Sequence, residues 1–147
     1  MPIVSAVALF CEDIREEKSG QDTIVGTLPD NLHIAVAPLP IPDAKTMLPK
    51  LGVYLRVNLS VDGDKPKDVS AKVLNTSGNI IVQSGWASGV IDKAFIDAKT
   101  NQMPLVGLLF KVVAGPLTIS GGKITVIVTI DGADYVAGAL NVIVPSA

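Results

Sequence analysis

From Gly52 to Val61 the chain reads GVYLRVNLSV. Val53, Leu55, Val57, Leu59 and Val61 are apolar, and Tyr54, Arg56, Asn58 and Ser60 between them are polar or amphipathic. Side chains on a strand alternate faces, so this spacing predicts a strand with one buried and one wet face. A helix would scatter the same five apolar residues around its circumference. One wet face suits an antiparallel sheet, and the rest of the chain must cover the apolar side.

The same period recurs on both sides of this stretch. Ile3 to Arg15 is an apolar run ending in charge, and Thr23 to Leu28 returns after the polar turn Glu16 to Asp22, where Gly20 suits a positive φ. The pair predicts a long hairpin. Leu32 to Val36 continues the second arm after Pro29 to Asn31. Proline cannot donate to a ladder, so that break predicts a bulge or a change of strand at an edge. Ala37 to Lys50, with Pro38, Pro40, Pro42 and Pro49, predicts an extended connection. After the turn cluster DGDKPKD come Val69 to Leu74, the turn NTSGN, and a strand on which Ile80, Val82 and Trp86 share a face. Ser88 to Asn101 admits two readings. Ile91, Ala94, Phe95 and Ala98 recur at helical spacing with Ser88 as a cap, and an irregular loop is the alternative. Leu105 to Val113 is apolar on nearly both faces, which fits a central strand or an oligomer contact. Lys123 to Ile130 alternates with Ile124, Val126, Val128 and Ile130 inward, Asp131-Gly132 signals a hairpin turn, and Tyr135 to Val144 closes the chain.

About eight strands with turn signals every 8–12 residues predict an all-β fold. Its architecture would be an antiparallel two-sheet β-sandwich, immunoglobulin-like or C2-like, or a flattened barrel, with at most one short helix near 90–100. If neighbouring strands alternate direction, the turns at Glu16–Asp22, Asp62–Asp68, Ser88–Asn101 and Asp131–Asp134 share one acidic end. Both termini and the proline-rich connection share the other. At 147 residues the chain reads as a single domain, residues 1–147, large enough to bury roughly 70% of its unfolded surface without a disulfide or metal.

Composition narrows the function. Apolar residues make up 48% and aromatic residues 4%, so the core is aliphatic. A net charge of −2 without a basic stripe offers no footprint for nucleic acid and no polybasic membrane patch. The single cysteine, Cys11, has no internal disulfide partner, which fits a reducing compartment. Ile3 to Phe10 is too short to span a bilayer and lacks the flanks of a secretory signal. These features predict a cytoplasmic protein.

Few residues carry chemistry. Asp62, Asp64, Asp131 and Asp134, with Asp68, are weak candidates for calcium ligands, because flexible loops at a sandwich end can supply oxygen donors. Solvated turn residues are the simpler reading, and Lys65 and Lys67 would repel a cation. Cys11 and His33 are the only possible thiol–imidazole pair, but the hairpin register sets them on the order of 20 Å apart at ~3.3 Å per residue. One cysteine and one histidine cannot complete a tetrahedral zinc site. Asp13 and Arg15, two apart, read as a structural ion pair near a turn, and Arg56 reads as paired across strands. Trp86 and Tyr54 could stack on a sugar ring, though buried aromatics are the commoner case. Common nucleophile, phosphate-loop and dinucleotide motifs do not occur. No catalytic, cofactor-binding or firm metal-binding residue is assigned.

Phe10, Cys11, Glu12, Asp13, Ile14 and Arg15, then Glu17 and Gly20, then Ile24, Val25 and Gly26 follow one another at the N-terminus. This order resembles a family of small uncharacterised bacterial all-β proteins whose first strand ends in a Phe-Cys-(Asp/Glu)-Asp-Ile-Arg motif. The crossing at Pro38 to Pro42, the glycine-led strand Gly122 to Ile130 and the Asp131-Gly132 turn are similar to that family too. Glu12 and Lys123 depart from its usual aspartate and tyrosine. The resemblance implies a β-sandwich and carries no activity, cofactor or functional residue.

The function that follows is a non-enzymatic structural or protein-interaction module, with a homo-oligomer as the expected state. The apolar Leu105–Val113 strand and the high mean hydropathy leave more apolar surface than one small sandwich hides. The alternative is a small-ligand binding sandwich that holds calcium or a carbohydrate at its acidic loop end. Hydrolysis by carboxylates alone, with Asp62 or Asp131 in a cleft, is a third.

Overall fold

A computed structural model describes residues 3–33 and 46–143 of the chain. Among them are β1 (Ile3–Glu16), β2 (Asp22–Thr27), β3 (Asn31–His33), β4 (Thr46–Leu48), β5 (Leu51–Ser60), β6 (Val69–Leu74) and β7 (Ile80–Trp86), then α1 (Ser88–Thr100), then β8 (Leu105–Ala114), β9 (Leu117–Ile119), β10 (Gly122–Ile130) and β11 (Ala133–Ile143). The eight long strands are those the two-residue period predicts. The three extra ones are only three residues each. The fold is all-β with one short helix.

β5 is the hub of the first sheet, whose order is β2-β1-β5-β8. Its inward residues Val53, Leu55, Val57 and Leu59 are buried, while Arg56 between them is exposed. The second sheet, β3-β11-β10-β6-β7, turns Ile124, Val126, Val128 and Ile130 of β10 and Val69, Ala71 and Val73 of β6 toward them. The sheets enclose one aliphatic cluster, and among the described residues no polar or charged side chain is buried. Branched side chains interdigitate well across such a layer, and no buried polar group needs a partner. β4 and β9 form a separate antiparallel pair.

The two sheets approach closely where Gly138 of β11 faces β1. A Cβ there would lie 3.1 Å from Ala8 Cβ and 3.3 Å from the Ala8 carbonyl. A register shift between Val126 and Ile127 lies beside it in the β10–β11 ladder, and the missing side chain leaves room for Ala8 of β1.

Several expectations meet a different outcome. After β2 the chain leaves the first sheet, and β3 pairs in parallel with β11 at the edge of the second. The break at Pro29–Asn31 is therefore a strand change, and the sandwich is not wholly antiparallel. Ile34 to Val36 and most of the proline-rich connection lie outside the described residues. β7 carries a register shift that sets Leu74 against Ile80 and Val73 against Val82. The extra residue breaks the alternation, so Ile80 is 53% exposed while Ile81 and Val82 pack on the core. α1 takes the helical reading of residues 88–101, with Ile91, Phe95 and Ala98 buried, but it is capped by Ala87 and has no side-chain cap bond; Ser88 is its first residue. β8 is not central in its sheet. It is an edge strand.

The sorting of turns changes as well. β1 runs antiparallel to β5 with Ile3 beside Leu59 and Cys11 beside Gly52. The turn after β5 thus lies next to the start of β1, and the β1–β2 hairpin tip lies at the opposite end. Asp62–Asp68, α1 and Asp131–Asp134 do share one end, joined by the Asp131 N–H donating to the Asp68 carbonyl. That end also holds Ile3, and it lacks the Glu16–Asp22 turn.

Candidate functional site

The loop end is built by the β5–β6 turn, the start of α1 and the β10–β11 hairpin. Asp131 and Gly132 have φ values of 47° and 85°, and Ile130 pairs directly with Ala133, so the hairpin is a two-residue turn with both central residues left-handed. This geometry turns Asp131 onto the neighbouring loop. Its Oδ1 accepts from the backbone N–H groups of Lys67 and Asp68, each at 2.9 Å. Asp134 accepts from the Thr129 hydroxyl at 2.6 Å. Asp62 and Asp64 are exposed. Among the described residues no three acidic, histidine or cysteine side chains converge as metal ligands. Asp62, Asp64 and Asp131 are turn residues, Asp134 is the second residue of β11, and Asp131 and Asp134 are engaged in hydrogen bonds within the fold.

Beside this turn an open depression of about 450 Å³ is lined by Gly63, Asp64, Lys65, Asp92, Phe95 and Lys99 among others. Lys65 Nζ lies 2.6 Å from Asp92 Oδ1, so its charges are partly neutralised within the wall. Half-exposed pairs of this kind contribute on the order of 0–1 kcal/mol.

Cys11 and His33 fall in different sheets, Cys11 in β1 and His33 at the end of β3. The Cys11 side chain is fully buried. Its register partner on β2 is Thr27. Gly52 makes room for the sulfur: a Cβ on Gly52 would stand 2.5 Å from Cys11 Sγ. Burial pushes the thiol above its usual pKa, with the nearby Asp13 charge adding to the rise and a hydrogen bond from Asp13's backbone opposing it, which disfavours the nucleophilic thiolate. Asp13 sits between two cations, with Arg15 Nε at 3.9 Å and Lys50 Nζ at 3.7 Å from its Oδ2. Its role is an ion pair at the sheet margin, and the second partner comes from a distant segment. Arg56 does not pair across strands. Its Nε donates to Asn58 Oδ1 on the same strand at 3.3 Å, and the guanidinium lies over Gly107. Its cross-strand neighbours, Val7 and Leu109, offer no acceptor side chain.

Trp86 and Tyr54 form no joint platform. Tyr54 lies on the outer side of β5. Trp86 belongs to β7, meets Phe110 edge-on at 6.4 Å, and donates from Nε1 to the Leu109 carbonyl at 3.1 Å. The indole thus ties the edge of one sheet to the edge of the other. An open groove of about 460 Å³ runs between these edges, lined by Val82, Ser84, Gly85 and Trp86 on one side and Leu109 to Val112 on the other.

One cluster had no signal in the sequence. Lys111 Nζ lies 2.7 Å from Asp22 Oδ1 and 3.1 Å from Glu16 Oε1. Hydrogen bonds to Asp22, then to Glu16, hold its ammonium pKa above the usual value. The arms of the β1–β2 hairpin reach across β5 to β8 to make this contact. Residues 89 apart share no local pattern, so only the fold brings them together.

The outer face of the first sheet is the remaining candidate surface. Val7 is 62% exposed, and Leu9, Leu105, Leu109 and Val113 are each about 40% exposed on strands whose inward residues are buried. The ladders place Val7, Arg56 and Leu109 in one row and Leu9, Tyr54 and Lys111 in the next. Apolar residues thus flank the polar stripe of β5 on both sides.

No protein-family model, curated protein or solved structure matches the chain. Among the described residues no helix is long and apolar enough to cross a membrane.

Proposed function

We propose that this protein is a non-enzymatic structural or protein-interaction module that assembles with copies of itself. The observation that carries the reading is the outer face of the first sheet, where Val7, Leu9, Leu105, Leu109 and Val113 stay exposed on otherwise well-packed strands. Apolar residues gathered on one face of a small domain mark an interaction surface. The buried, protonated Cys11 and the ion-paired Asp13, Lys65 and Lys111 act within the fold, which favours a binding role over a catalytic one. A single buried cysteine agrees with a reducing cytoplasm, and the N-terminal motif with a bacterial source. The negative net charge disfavours nucleic acid as the partner.

Size-exclusion chromatography with light scattering tests the reading. The expected result is an oligomer at tens of micromolar chain. A monomer at that concentration overturns it.

A further inference from the structure

We propose that two copies of this chain join along the edge of β8 that no strand among the described residues pairs with, antiparallel about a two-fold axis at Leu109, so that the four-stranded sheet continues into one of eight strands. The inference rests on the self-assembly reading above and names its interface.

An unpaired strand edge is a template for another strand, and proteins blunt such edges with shortness, bulges, proline or charge. Three of the four edges of the two large sheets are blunted in this way. β3 has three residues. β2 has six, with Gly26 at φ +64°. β7 carries its register shift near Ile80. β8 has ten residues, no proline and no shift anywhere along its ladder with β5. Its one charge, Lys111, is drawn off to Asp22 and Glu16.

The main-chain groups on this edge can be assigned. Val61 N–H donates to the Pro104 carbonyl at 3.3 Å, extending the β5–β8 ladder by one pair. In an antiparallel ladder a residue's N–H and C=O point the same way, and the direction alternates. The even residues of β8 therefore face β5. Leu105, Gly107, Leu109, Lys111 and Val113 direct their main-chain groups outward. The Trp86 indole reaches the Leu109 carbonyl from the other sheet, which agrees with this assignment. A carbonyl has two lone pairs, so that bond can persist beside an added strand.

A two-fold axis at Leu109 sets Leu109 against its copy, Leu105 against Val113, and Gly107 against Lys111. It pairs every outward residue of β8 with another outward residue of β8. An axis one residue to either side leaves Leu105 or Val113 opposite a residue beyond the strand. An axis at Lys111 sets two ammonium groups face to face, which is unfavourable across a ladder. In the Leu109 register the exposed apolar side chains meet one another, and Lys111 falls opposite Gly107 with its ammonium already held by Asp22 and Glu16. Isologous contact of this kind closes on itself, as dimers require.

The test uses the full chain. Light scattering should show the wild type as a dimer, Leu109→Lys and Leu109→Glu each as monomers with unchanged circular dichroism, and their equimolar mixture as a dimer again. Mild oxidation should link Leu109→Cys to itself, because directly opposed residues lie about 5.5 Å apart at Cα, within disulfide range. Leu105→Cys should link to Val113→Cys when the two are mixed and neither should link alone; the buried Cys11 does not compete. The cysteine pairs decide even if a charged variant fails to fold. An assembled wild type whose Leu109→Cys does not cross-link overturns the edge interface and leaves self-assembly standing. A monomeric wild type overturns both.

Discussion

Asp131 shows how one side chain can serve two structural demands. Its φ of 47° needs a residue that tolerates the left-handed region, and its Oδ1 holds the Lys67 and Asp68 amides of the neighbouring turn. Asparagine meets both demands and glycine only the first. Asp131→Asn should change stability by less than about 0.5 kcal/mol, whereas Asp131→Gly should cost about 1–2 kcal/mol, the order of a lost capping acceptor. Urea denaturation of the two variants checks this, and equal midpoints would show the hydrogen bonds contribute nothing. The turn itself was legible, since Asp-Gly between alternating strands is a strong hairpin signal. The demand on Gly52 was not. Only the β1–β5 register sets it against Cys11 Sγ, and neither residue's sequence neighbours report that contact.

At the scale of elements, two-residue alternation located strands such as β5, β6 and β10 because each has one apolar face, and apolar runs located β1 and β8. It failed where an extra residue shifts register, as at Ile80, since a bulge is a property of a strand pair. α1 was ambiguous for a visible reason: its start carries no side-chain cap, and Gly89 weakens the first turn. A Cβ on Gly89 would meet nothing within 4 Å. Gly89→Ala should therefore stabilise the protein by up to about 1 kcal/mol. Ala87→Asp should add about 0.5–1 kcal/mol by supplying the missing acceptor at the helix N-terminus. Both gains should appear as higher urea midpoints with unchanged m-values. A loss in either would mean that α1 begins elsewhere.

Across the whole molecule, the acidic loop end gathers the four aspartates that are weak candidates for calcium. Asp62, Asp64, Asp131 and Asp134 are close along the loops. Yet Asp131 holds backbone amides, Asp134 holds a threonine hydroxyl, and Lys65 pairs with Asp92 beside them. Millimolar calcium should leave the melting temperature unchanged. A rise of several degrees would show the loops gathering around an ion, because a ligand that binds only the folded state stabilises it.

The amino-acid order by itself determined that the chain is all-β, where its long strands run, and, for strands whose own alternation is unbroken such as β5 and β10, which face is apolar. These are local consequences of a period-two pattern. It could not determine which strands become neighbours. A parallel pairing of β3 with β11, β8 at an edge, Lys111 between Asp22 and Glu16, and Trp86 bridging the two sheets each join residues far apart along the chain. Tertiary structure decided these, because pairing energy belongs to two strands at once and neither strand's sequence encodes its partner.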